Sequence, residues 1–122
     1  MRGCDYTGQT LQELTLKGAV MVEAKFDNAQ MQQIVISSSY ADGASFRGAD
    51  LSSAVIQGVD FKEADLTGAI LRGAVISADK FEGADLTDTD WEGAIVGTED
   101  SKRICANPTL KDMSRFYVGC RD

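Results

Sequence analysis

The 122-residue chain has room for one compact unit, which excludes a multi-domain enzyme. At 43% hydrophobic and 25% charged residues it should fold, and the absence of histidine removes the commonest general base and metal ligand. Nineteen acids against 12 bases leave a net charge of −7, which repels phosphates and anionic membrane surfaces, so no nucleic acid partner and no cofactor are expected.

Met1 and Arg2 are followed by polar residues with no apolar signal region, so any targeting segment is expected to have been removed already. No stretch has the apolar length of an integral membrane segment. From Cys4 onward the chain repeats itself. Ala49-Asp50-Leu51-Ser52-Ser53, Ala64-Asp65-Leu66-Thr67-Gly68 and Ala84-Asp85-Leu86-Thr87-Asp88 share one five-residue pattern. Stepping by five from Tyr6 to Val96 meets nineteen central residues, of which only Ala41 is small. Two residues before the centre, alanine fills eleven of the nineteen places; two residues after it, glycine stands at 8, 18, 43, 48, 58, 68, 73, 83 and 93. A period of five fits neither a helix nor a strand, and predicts a backbone that turns once per repeat.

This pattern resembles the pentapeptide-repeat family, whose motif is A(D/N)LXX, from Cys4 to Thr98. The resemblance implies an all-β solenoid, a right-handed quadrilateral β-helix in which each repeat forms one side and four close a coil. It also implies that the centre and the residue two before it point inward. At a rung spacing of roughly 4.8 Å the stack would stand about 23 Å tall. Two segments follow, a β-helix over 4–98 and a C-terminal cap over 99–122 that includes a short helix.

A twenty-residue period assigns the outward residues to sides. The side centred on Leu16, Ile36, Ile56, Ile76 and Val96 carries Thr15, Val35, Val55, Val75 and Ile95 just before its centres, and its only charge is Lys17. The other three sides sum to −3, −3 and −4. Val35, Val55, Val75 and Ile95 therefore form a candidate protein-docking face, for an unknown protein partner or for self-association. Strand propensity and stacking explain the same ladder without any partner. A strip of this height exposes on the order of 200–400 Å² of apolar surface, below about 800 Å² per partner for a stable complex, so any contact is expected to be weak or to recruit a stack end as well.

Two irregularities fall on the side from Met21 to Phe81. Tyr40 takes an outward place beside the small centre Ala41, and Asp79 occupies an inward small-residue slot. A bulge that turns Ala78 inward would spare Asp79 from burial. Either feature is tolerated irregularity or a recognition feature around Tyr40 and Lys80.

From Glu99 the repeat stops. Asn107 before Pro108 reads as a helix start, and a helix over 108–118 would lay Leu110, Met113 and Phe116 or Tyr117 across the coil end. A second short helix is expected to begin at Thr98-Glu99-Asp100. Cys105 and Cys120 close a loop of sixteen residues; a disulfide there would add about 3 kcal/mol, and spacing leaves two reduced thiols equally open. Cys4 falls in an inward slot and reads as a buried unpaired thiol. The tail resembles that of the thylakoid-lumen pentapeptide-repeat proteins of plants. That resemblance implies the chloroplast thylakoid lumen, an oxidising compartment consistent with a Cys105–Cys120 disulfide.

Catalysis needs a nucleophile and a base or metal in a cleft, and a filled coil offers none, so no enzyme and no metal site are expected. Ser37, Ser38 and Ser39 have no histidine to activate them. The expected function is a non-catalytic scaffold for protein interaction. The alternative is an acidic DNA mimic that inhibits a topoisomerase, but Lys25, Arg47, Lys62, Arg72 and Lys80 interrupt all three acidic sides.

Overall fold

Residues 2–111 and 113–120 are described in a computed structural model. Backbone pairing links residues twenty apart. Asp5 bridges to Lys25, Lys25 to Ser45, Asp65 to Asp85, Thr10 to Gln30 and Tyr40 to Asp60, all in parallel. Each coil therefore donates to and accepts from its neighbours, as when the Tyr6 amide bonds the Lys25 carbonyl at 2.7 Å and the Lys25 amide the Cys4 carbonyl at 2.8 Å. The fold is a right-handed quadrilateral β-helix with short helices at its C-terminal end.

One side differs from the other three. It alone widens into a ladder of strands, β1 (Thr15–Lys17), β2 (Val35–Ser37), β3 (Val55–Gln57), β4 (Val75–Ser77) and β5 (Ile95–Val96), stacked in sequence order. Its register sets Thr15 under Val35, Val35 under Val55, Val55 under Val75 and Val75 under Ile95. Here β-branched residues occupy both the centre and the preceding place, and such residues suit extended backbone. Elsewhere a single bridged residue is followed by a turn. At every corner from residue 3 to residue 93 the backbone is left-handed, with φ between 50° and 73°. Gly68 and Gly93 show why glycine recurs: an added Cβ would find only ordinary contacts at 3.8–4.0 Å, so the requirement lies in the backbone angle.

The inward positions form a dry core. Phe26, Phe46, Phe61, Leu51, Leu66 and Leu71 are fully buried, with alanines filling the slots between them. The rings make a continuous ladder. Tyr6 stacks on Phe26 at 5.3 Å and Phe26 on Phe46 at 5.0 Å; Phe46 meets Phe61 edge-on, Phe61 stacks on Phe81 at 5.1 Å, and Phe81 meets Trp91 edge-on. The ladder moves from one inner column to another at Phe46, where Leu66 succeeds it in its own column. Ala41 is buried and Tyr40 points outward, as the pattern requires.

Three expectations are corrected. No bulge forms at Ala78: it stays an exposed corner residue with φ 57°, and Asp79 is buried with 1% exposure. Turning Ala78 inward would break the ladder around it, where the Lys80 amide bonds the Val59 carbonyl at 3.0 Å. Instead Asp79 accepts the Val59 amide at 2.7 Å and the Ser77 amide at 3.3 Å, much as Ser39, two places earlier among the inward residues of that column, accepts the Ala19 amide. Cys4 is exposed, because its inward slot lies in the first coil with no described coil beneath it.

The third correction concerns the cap. It consists of α1 (Thr98–Cys105) and α2 (Met113–Val118), and no helix starts at Pro108. The expected helix and cap also take in residues 112, 121 and 122, which lie outside the described residues. The Asn107 amide instead donates to the Phe81 carbonyl at 3.2 Å and the Ala84 carbonyl at 2.9 Å, while its oxygen accepts the Thr109 amide. Ile104, Leu110 and Val118 cover the coil end, whereas Met113 and Phe116 are exposed, the latter at 69%.

Phe46 sits where the ring ladder changes column, so Phe46→Ala should cost about 3–5 kcal/mol and Phe46→Leu only about 1–2. Denaturant unfolding checks both values, and equal costs would contradict a core held by the stacked rings.

Candidate docking surface

The smooth side owes its character to the period. Every twentieth residue from Thr15 lands on it, and four of those five are valine or isoleucine. Cross-rung stacking shields them in part: Val35, Val55 and Val75 are half-buried, and Ile95 at the head of the ladder stands 64% exposed. Lys17 at the foot is exposed.

Above β5 the face runs into a groove of about 860 Å³ between the last coil and the cap, walled by Val96, Ser101, Cys105, Val118 and Cys120, with Lys102 also in its lining. The Cys105–Cys120 disulfide, with Cα atoms 5.6 Å apart, ties the end of α1 to the segment after α2. The cap is pinned to the last coil by polar contacts besides Asn107. The Leu86 amide donates to Thr109 Oγ1 at 2.7 Å, and Ser114 Oγ donates to the Thr89 carbonyl. Thr89 in turn holds the buried Trp91 indole at 2.7 Å. Sequence reasoning missed the groove and the serine and threonine anchors, because they join residues far apart in the chain.

The other sides are acidic but internally paired. Arg47 meets Asp65 at 2.9 Å, and Arg72 meets Asp90 at 2.5 Å and Glu92 at 3.7 Å. Partial burial works to raise the pKa of Asp65. It is outweighed by hydrogen bonds from the Thr67 hydroxyl and amide and by Arg47, which hold the carboxyl below its usual range. Asp90 is likewise lowered: its slight burial is overcome by Arg72 and the Glu92 amide. Exposed pairs of this kind add little stability, but they break the rows of negative charge. Tyr40, Asp60, Lys80 and Ser38 share a shallow hollow on the side from Met21 to Phe81. Among the described residues no group of three or more metal-ligating side chains is assembled, and no helix is long and apolar enough to cross a membrane.

The family model described as "Pentapeptide repeats (8 copies)" matches residues 37–73. The chain is a pentapeptide-repeat protein. Among solved structures it is similar to HetL, a pentapeptide repeat protein involved in heterocyst differentiation regulation from the cyanobacterium Nostoc sp. strain PCC 7120. That match has 33% identity and a TM-score of 0.57, and covers 74% of this chain and 41% of HetL. QnrB1, a plasmid-mediated fluoroquinolone resistance protein, matches at 28% identity and a TM-score of 0.48 over 77% of this chain and 53% of that one. A pentapeptide repeat protein from the Arabidopsis thaliana thylakoid lumen matches at 21% identity and a TM-score of 0.41, over 93% and 89% of the two chains. The chain thus spans less than two thirds of the length of HetL and QnrB1. Among curated proteins none matches.

Thiol labelling of the native chain should modify Cys4 alone, with three thiols released on reduction and unfolding. Replacing Cys105 and Cys120 by alanine should lower stability by about 3 kcal/mol. Asn107→Ala removes one donor each from the Phe81 and Ala84 carbonyls, which keep the Ala84 amide and the Thr109 hydroxyl respectively, and should cost about 1 kcal/mol, read by thermal or denaturant unfolding.

Proposed function

We propose that the chain is a non-catalytic scaffold that docks another protein through its smooth side, with the groove at the head of that side extending the contact. One observation carries the reading: Val35, Val55, Val75 and Ile95 are in register on the single side that bears no acid. On a molecule of net charge −7, that side is where a partner, including a second copy, approaches with least repulsion. The ladder alone offers less than the roughly 800 Å² per partner of a stable complex, and the adjoining groove adds apolar wall from Val96 and Val118.

We place the protein in the thylakoid lumen of the chloroplast. The support is the tail, in which two cysteines flank an Asn-Pro segment and the chain runs on to Gly119-Cys120, together with the disulfide that an oxidising compartment allows.

The second reading, an acidic DNA mimic acting on a topoisomerase, draws on the three acidic sides. Duplex mimicry wants uninterrupted rows of negative charge, and Arg47 and Arg72 neutralise neighbours within those rows. The chain should therefore leave gyrase supercoiling unaffected, and potent inhibition would reverse the order of the two readings.

Val55→Lys with Val75→Lys should weaken capture of the native partner by about ten-fold, equivalent to about 1.4 kcal/mol, with circular dichroism unchanged. An unaltered set of captured proteins from an intact variant would assign the ladder to strand propensity alone.

A further inference from the structure

Asp79 is out of place by every rule of the repeat. Its inward column runs Ala19, Ser39, Val59, Asp79, and the next place, twenty residues on, belongs to α1. Asp79 is thus the uppermost member of its column, beneath the cap. Its two oxygens accept the amides of Val59 and Ser77, while the next amide along, that of Ala78, goes to Asp100 Oδ1 of α1 at 2.9 Å. Two carboxyl groups, one from the core and one from the cap, therefore take consecutive backbone amides at the same corner. Asp100 is also held by Arg103, one helical turn away.

We propose that this corner is a proton-operated latch: with the Asp79 carboxyl neutral, the first turn of α1 stays docked on Ala78, and with it ionised that turn lifts from the last coil. Burial pushes Asp79 up to about 8; the Val59 and Ser77 amides oppose the shift, Asp100 adds to it, and Arg103 subtracts from it. Of the other charged and titratable groups nearby, Tyr40, Asp60 and Lys80 lie on the outer surface around the hollow that Ala78 also lines, and Glu99 and Lys102 of α1 are exposed and pair with each other at 3.6 Å. An ionised Asp79 would be a charge without a cation of its own in the core, facing the carboxylate of Asp100. Lifting the turn lets water reach it.

The sign follows from linkage. An acid whose pKa is raised in the closed form stabilises that form fully below its ordinary pKa, near 4, and loses the contribution as the pH climbs through about 8. The motion is a hinge that also releases the Ser101 hydroxyl from the Val118 carbonyl, 2.9 Å apart when docked, because the far end of α1 remains tied through Cys105, and Asn107, Thr109 and Ser114 keep their own anchors on the coil. The lifting turn contributes Thr98 and Ser101 to the groove, so the latch changes the shape of that groove.

Amide hydrogen exchange on the intact chain, corrected for intrinsic rates, tests the latch. The opening constant reported by the Ala78 and Ser101 amides should rise by up to about ten-fold per pH unit between about pH 5 and pH 8 and level off above. The Leu86 and Leu110 amides, bonded to Thr109 and Asn107, should stay protected throughout. Asp79→Asn, which keeps the shape and cannot ionise, should abolish the rise, and so should Asp79→Ala, which places the commonest residue of such slots. Asp100→Asn should move the plateau to lower pH. A flat profile in the native chain, a rise that survives both Asp79 variants, or a parallel loss of protection at Leu86 and Leu110 would overturn the proposal.

Discussion

Coil-to-coil hydrogen bonding is the constraint from which the rest of this molecule follows. No coil satisfies its own backbone: the amides at Tyr6, Leu11 and Met21 reach up to carbonyls of the next coil, and those at Lys25, Gln30 and Tyr40 reach down. The chain must then return to register every twenty residues, and four near-identical corners with left-handed backbone do so. Once the register is fixed, each residue's direction is fixed too, inward or outward and to which side. Core and surface become separable, so outward residues vary freely while the inward columns stay apolar.

That separability explains how the smooth side arises. Valine and isoleucine before the centres of one side lengthen its bridges into strands and at the same time leave an apolar face without acids. The three other sides take the charge, partly cancelled by arginines reaching between neighbouring rungs. The last coil meets a cap whose polar anchors, Asn107, Thr109 and Ser114, accept or donate where a further coil would have done. Local chemistry is thereby reused: the cap supplies to the end of the stack what each coil supplies to the next.

Much of this was legible in the residues because the five-residue repeat resembles the pentapeptide-repeat motif, and that resemblance implies which places face inward and which outward. The inward slots, the glycine corners and the outward position of Tyr40 follow directly from it. Asp79 was legible as an anomaly, but its remedy was not, since a sequence does not show how little a corner can yield when both neighbouring coils hold it. Asn107-Pro108 carries the signal of a helix start, and the Asn107 side-chain oxygen does take the Thr109 amide, but its NH2 group is anchored on the Phe81 and Ala84 carbonyls and the chain makes only a turn there before α2. Cys4 read as buried because its slot is inward, and it is exposed because inwardness buries a residue only between two coils. The groove was not legible at all, since Val96 and Val118 are brought together only by the cap.

The left-handed corners carry a further consequence for how such a surface can change. Each corner is a quarter-turn index, so adding or removing one five-residue unit leaves the interior intact while rotating everything beyond it by ninety degrees relative to what lies below. The aliphatic strip would be cut into two lengths on adjacent sides, and only a change of a full coil would rejoin it. Lineages of this architecture can therefore re-aim a surface in discrete steps, re-pairing only the inward residues of the coils that flank the change.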